Sequence, residues 1–134
     1  VELSNSVSSF EYLDNVDIDS SLDEVPLHPD LAIPLGLIIN ELVINSVRHA
    51  FPQDRINKEK KGEIRVEFKI IGQDMATLTV KDNGVGLPKD VLIGKSETLG
   101  LKLVNLLARQ LNGKIQILDK EGTEFRIEFK YGNL

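Results

Sequence analysis

Between residues 31 and 51 the apolar positions recur every three or four residues, at Leu35, Ile38, Ile39, Leu42, Val43 and Val47. That spacing marks one face of an α-helix. Asp30 is placed to cap its N-terminus, but Pro34 would then lie deeper than proline prefers, so the start can slip toward Ile33. Pro52 ends the helix. After a charged stretch at 54–63, DRINKEKKGE, the period changes. Residues 64–71 and 75–82 alternate as two strands do, and the short connection IGQD between them suits a hairpin. Residues 83–99 hold four glycines or prolines and little periodicity, which predicts a loop. LGLKLVNLLARQLNG, residues 99–113, returns to helical spacing, with Gly113 as its stop. KIQILD and TEFRIEFKY then predict a second hairpin turning around 120–122. Upstream, a strand is expected around 15–20 and a short one near Val25.

Two helices and about five strands, mostly in hairpins, predict an α+β fold. The arrangement expected is a two-layer α/β sandwich, with the helices packed on one face of a mixed, mainly antiparallel sheet. The chain has 134 residues, 41% hydrophobic and 28% charged, which suits one domain over residues 15–134. Residues 1–14 read as a stub connecting to something outside the chain, and the start at Val1 without a methionine leads us to expect a fragment.

Sixteen basic against twenty-one acidic residues give a net charge of −5. That balance argues against a nucleic-acid binder, whose affinity rests on cations neutralising phosphates. A nucleotide needs only a local pocket. No cysteine is present, which removes disulfides, thiolate catalysis and thiolate metal sites. No run of about 18 apolar residues and no signal-like N-terminus is visible, so no direct membrane contact and a cytoplasmic setting are expected.

Two familiar phosphate motifs fail. GKS at 94–96 would need a glycine five positions earlier, where Lys89 stands, and the same lysine breaks a dinucleotide fingerprint starting at Gly84. What remains is an ordered set: ELVIN (41–45) on the first helix, DNGVG (82–86) after a strand, TLGL (98–101) opening the second helix, and the pair Gly122–Thr123. On a helix, Glu41, Asn45 and His49 drift only about 40° per step and share a face. A carboxamide oxygen there is a suitable hard ligand for Mg²⁺, which favours oxygen donors, phosphates and retained waters. A carboxylate at a strand end can accept a hydrogen bond from the exocyclic amine of adenine, where guanine offers a carbonyl instead. Gly84 and Gly86 would let the backbone approach a ring and take positive φ.

Taken together, these motifs resemble the ATP-binding (Bergerat-type) domain shared by histidine kinases, gyrase, mismatch-repair and heat-shock chaperone ATPases. NELVINSVRHAFP is closest to sensor histidine kinases of the second phosphoacceptor class, and the resemblance covers roughly residues 15–131. It implies ATP and Mg²⁺ as ligands. It assigns metal binding to Asn45, activation of the attacking group to Glu41, and base recognition to Asp82 with Thr123 nearby, through water. Arg48 and His49 would lie near the phosphates. Gly84 and Gly86 would border the ring, and Gly100 and Leu101 would open the phosphate-facing helix. Residues 87–99 would form a short ATP lid without the lid phenylalanine of other subclasses, mobile until nucleotide orders it.

The resemblance also implies partners. His28 sits between two prolines and His49 lies in the site motif itself, so neither suits the phosphoacceptor of a helical hairpin. That acceptor domain would lie N-terminal of Val1, a response regulator would act downstream, and the full-length protein could be membrane-tethered. This chain alone is expected to be a monomer. Two other readings stay open: an anti-sigma-factor-type serine protein kinase, and a non-catalytic ATP-binding regulatory module.

Overall fold

A computed structural model of the chain describes residue 3 and residues 16–50, 62–87, 98–119 and 121–132. Strand β1 (Val16–Leu22) leads to helix α1 (Pro29–Asn45), which runs on into a π-helical turn at Ser46–Ala50. Strands β2 (Gly62–Ile70) and β3 (Met75–Asp82) follow, then helix α2 (Leu99–Gln110) and strands β4 (Lys114–Asp119) and β5 (Thr123–Lys130). The five strands form one sheet in the order β1-β2-β3-β5-β4. β1 and β2 are parallel, and every other pair is antiparallel. A parallel pair needs a long crossover, and α1 supplies it. The architecture is the expected α+β one.

Alternation along the strands sorts the two faces. Ile64, Val66 and Phe68 of β2, Ala76, Leu78 and Val80 of β3, and Phe125, Ile127 and Phe129 of β5 are all buried. The register pairs Val66 with Val80, Phe68 with Leu78, Val80 with Phe125, and Leu78 with Ile127, so these residues form one continuous apolar surface. Onto it α1 brings Leu35, Ile38, Ile39 and Val43, all fully buried. Each such side chain contributes about 2 kcal/mol by leaving water. The intervening strand residues, among them Arg65, Glu67, Lys81, Glu124 and Arg126, face the other way. Pro29–Arg48 is long and apolar enough to cross a membrane by length and composition, but half of it is buried in this core.

Four local expectations are corrected. The α1 cap is His28 and not Asp30: its Nδ1 accepts from the Asp30 N–H at 3.1 Å, and Pro29 takes the first helical turn. Pro34 is inside the helix, and the carbonyl it leaves without a donor belongs to Asp30, on the exposed first turn where water can serve. Near Val25 there is no strand, because Asp23 closes the ladder, its N–H donating to Phe68 O and its Oδ2 accepting from Ile70 N. α2 stops before Gly113: Asn112 takes the left-handed conformation (φ 53°), with Asn112 N donating to Arg109 O and Gly113 N to Ala108 O. That pair of bonds is a Schellman ending, with asparagine where glycine is commoner.

The hairpin at 71–74 and the two strands it joins stand as expected. Of the proposed lid, residues 88–97 lie outside the described residues, as does most of the charged stretch at 54–63. So does the N-terminal stub, except Leu3, which is buried with the core.

Candidate functional site

Asp82 is the last residue of β3, paired with Ile64 of β2. Its carboxylate collects three donors from three parts of the chain. Oδ1 accepts from Gly84 N at 3.0 Å and from Thr123 N, at the start of β5, at 3.2 Å. Oδ2 accepts from the Ser46 hydroxyl, just past the end of α1, at 2.8 Å. Next in sequence, Asn83 bonds twice to the Glu63 backbone, donating its N–H at 3.1 Å and accepting at Oδ1 at 2.8 Å. The chain therefore leaves β3 in a fixed direction and does not turn back as a hairpin, although Asn-Gly is the commonest hairpin signal.

Glycines line this end, though not all as expected. Gly86 takes positive φ (82°), and a Cβ there would fall 2.7 Å from Asp119 Oδ1. Gly84 does not take positive φ. It serves through its N–H to Asp82. The tightest glycine is Gly122, with φ 127°, where a Cβ would lie 2.0 Å from the carbonyl oxygen of Asp82. Only glycine lets the β4–β5 turn press against the end of β3.

A second set of residues meets where α1 crosses the start of α2. A Cβ on Gly100 would stand 2.9 Å from Glu41 Oε2 and 3.6 Å from both Oδ1 and Nδ2 of Asn45. Carboxylate, carboxamide and helix N-terminus thus share one corner. Thr98 caps α2, its Oγ1 accepting from Leu101 N at 3.2 Å. The N–H groups of Leu99 and Gly100, one turn too early for intrahelical acceptors, remain for other acceptors. With the helix dipole they make this corner suited to anionic oxygens.

The two corners are joined by one peptide unit. Asn45 belongs to the Gly100 corner, and Ser46, its neighbour and 6% exposed, belongs to the Asp82 corner. Glu41, Asn45, Gly100 and Leu101 therefore gather at one end, and Asp82, Gly84, Gly86 and Thr123 at the other. Arg48 is exposed on the π turn and makes no ion pair among the described residues. The side chain of His49 lies outside the described part of the structure. The shared-face argument for His49 assumes α geometry, and past Asn45 the turn is π-helical.

Among the described residues no three His, Asp or Glu side chains converge to hold a metal by themselves. A divalent ion here would need oxygens from a bound ligand and water. That requirement suits Mg²⁺, with the Asn45 carboxamide as the protein's own hard donor. A groove of about 630 Å³ between α2 and β4 lies elsewhere, lined by Lys102, Asn105, Leu106, Arg109, Gly113 and Ile115. It holds none of the convergent polar groups, so chemistry and not volume locates the site. Ser46 joins this arrangement by its bond to Asp82 although no motif in the sequence singles it out, whereas Thr98 and Gly122 belong to stretches the sequence already marks.

Known proteins resemble this chain over most of its length. A family model described as histidine kinase-, DNA gyrase B-, and HSP90-like ATPase matches residues 30–133. The chain is 34% identical over 109 residues to sensor histidine kinase PdtaS of Mycobacterium tuberculosis, over 79% of this chain and 21% of that protein. It is 24% identical over 118 residues to blue-light-activated histidine kinase 2 of Erythrobacter litoralis, over 86% of this chain and 33% of that protein. The chain thus spans a third or less of these relatives. Its backbone superposes on the histidine kinase domain of the Erythrobacter litoralis EL346 blue-light-activated histidine kinase with TM-score 0.84 at 22% identity. That match covers 96% of this chain and 59% of the other. Full-length ShkA in complex with AMPPNP matches with TM-score 0.74 at 18% identity, over 98% of this chain and 30% of that one. At such identities the structural likeness is one of fold.

Proposed function

This chain belongs to the histidine kinase-, DNA gyrase B-, and HSP90-like ATPase family, and from that premise we propose that it is the catalytic ATP-binding domain of a two-component sensor histidine kinase. It holds Mg²⁺·ATP between the Asp82 and Asn45 corners and delivers the γ-phosphate to a histidine on a helical domain outside this chain. A response regulator then receives the phosphoryl group. The observation that carries the reading is the junction of the two corners at Asn45 and Ser46, with Ser46 bonded to Asp82.

In this reading Asp82 accepts a hydrogen bond from the adenine amine. A carboxylate has about four acceptor positions, and three donors already hold this one, so capacity for the base remains. Guanine would set its carbonyl against the carboxylate and leave an acceptor unpaired, the kind of mismatch that discriminates strongly. Asn45 supplies a protein oxygen to the metal, which neutralises phosphate charge when bound. Glu41 orients or activates the attacking group, and the start of α2 receives phosphate oxygens. Arg48 and His49 are assigned to the phosphate end from the family resemblance. Such a site works by positioning and charge neutralisation, as phosphoryl transfer requires. In this reading the work is done in the cytoplasm, where ATP is available.

The test is an equilibrium titration with ATP, GTP and magnesium-free ATP. ATP should bind more tightly than GTP, and Asn45→Ala should abolish the magnesium-dependent part. Unchanged ATP affinity in that variant would remove the metal assignment. Labelled ATP with the natural acceptor domain in trans should give acid-labile phosphohistidine. Phosphoserine would point to a serine kinase, and no transfer to a regulatory module.

A further inference from the structure

The Ser46 hydroxyl is buried, comes from the segment that follows α1, and donates to Asp82 Oδ2 at 2.8 Å. The other two bonds to this carboxylate both go to Oδ1 and both come from backbone N–H groups. Oδ2 is therefore oriented, among the described residues, by one side chain. Ser46 is also where α1 changes geometry, its own N–H reaching back to both Leu42 O and Val43 O as the helix gives way to the π turn. We propose that Ser46 is a positioning residue for base recognition: it fixes the plane of the Asp82 carboxylate and ties that plane to Asn45, one residue earlier.

The argument rests on the nucleotide reading above and goes one step past it. A carboxylate is planar and turns about its Cβ–Cγ bond, so donors to either oxygen restrain the same torsion. Gly84 and Thr123 restrain that torsion through Oδ1, at 3.0 and 3.2 Å. The hydroxyl donor on Oδ2, at 2.8 Å, tightens that restraint and takes one lobe of this oxygen, so the acceptor lobe that remains points in one direction. A fixed direction separates adenine, which brings a donor, from guanine, which brings an acceptor at the same edge. Because the hydroxyl is carried by the end of α1, a tilt of the carboxylate is also felt at Asn45. Base reading and metal binding then share one hinge point.

The experiment titrates the 134-residue chain and its Ser46→Ala, Ser46→Thr and Ser46→Cys variants with ATP and with GTP, both with magnesium. A hydrogen bond to a charged group is strong enough that its loss should weaken ATP binding on the order of tenfold. GTP, which gains nothing from the carboxylate, should change by less than about twofold, so the ATP-to-GTP preference falls. Ser46→Thr keeps the hydroxyl and should restore most of that preference. Ser46→Cys keeps the size with a weaker donor and should fall between, which keeps the test available if the alanine variant folds poorly. A merely structural role would weaken both nucleotides equally and gain nothing from threonine, and that result overturns the proposal. So does an unaltered preference in folded Ser46→Ala or Ser46→Cys. If the unsubstituted chain itself shows no preference for ATP, the nucleotide reading has failed and the inference falls with it.

Discussion

Gly100 separates the demands of folding from those of the site. It lies in the first turn of α2, where alanine would ordinarily favour the helix by up to about 1 kcal/mol. Its φ is not in the left-handed region, so no backbone strain opposes a side chain. Yet a Cβ there would stand 2.9 Å from Glu41 Oε2, closer than such atoms approach, and would push the carboxylate aside. The expected outcome for Gly100→Ala is an unchanged or slightly raised melting temperature, with ATP affinity reduced at least tenfold. Thermal denaturation and nucleotide titration on one preparation check it. A fall in both together would mean a folding defect, and retained affinity would mean that the phosphates do not lie at this corner. Gly122 makes the opposite kind of case: its φ of 127° and the 2.0 Å approach to Asp82 make it indispensable to the backbone itself.

Among the elements, α1 carries the most. Its apolar face was legible in the sequence because Leu35, Ile38, Ile39, Leu42 and Val43 obey one period and are all buried. The strands 64–71 and 75–82 were legible for the same reason, their alternation matching the sheet. The ends were less so. Capping depends on where one side-chain atom points, and a histidine between prolines gives no periodic signal, so His28 was missed as a cap. The hydroxyl of Ser46 was missed likewise, since its partner Asp82 is distant in sequence. The π turn at Ser46–Ala50 had no signal either, because the apolar period continues through Val47. His28 also offers a test. A serine hydroxyl caps a helix better than an exposed imidazole nitrogen, so His28→Ser is expected to stabilise the chain by about 0.5 kcal/mol. Urea denaturation measures it, and a loss of stability would show that the imidazole does more than cap.

Across the whole molecule the two faces of the sheet divide the work. The helices and both corners of the site lie on one face, and the other carries a charged ladder. There Arg65 of β2 donates from Nε to Glu67 Oε1 at 2.7 Å and also pairs with Asp19 of β1, while Lys81 Nζ of β3 lies 3.4 Å from Glu67. The Arg65 hydrogen bond, followed by the charge of Lys81, holds the Glu67 carboxyl below its ordinary value of 4.5, against the opposing effect of partial burial. A depressed carboxyl stabilises the fold at neutral pH, and that contribution is lost as pH falls below 4.5 through the depressed value. The ladder is open to solvent, so the contribution is about 0.5 kcal/mol and shrinks in salt. Glu67→Gln is therefore expected to lower stability by that amount at pH 7, with the gap to the unsubstituted chain narrowing as pH falls below 4.5 toward 3. Urea midpoints at both pH values check this, and a gap that persists in acid would assign the effect to packing. Glu67 stands on the face away from Asp82 and Asn45, so ATP affinity at pH 7 should not change. If it does, the sheet transmits strain between its faces, and the division of labour between them is not real.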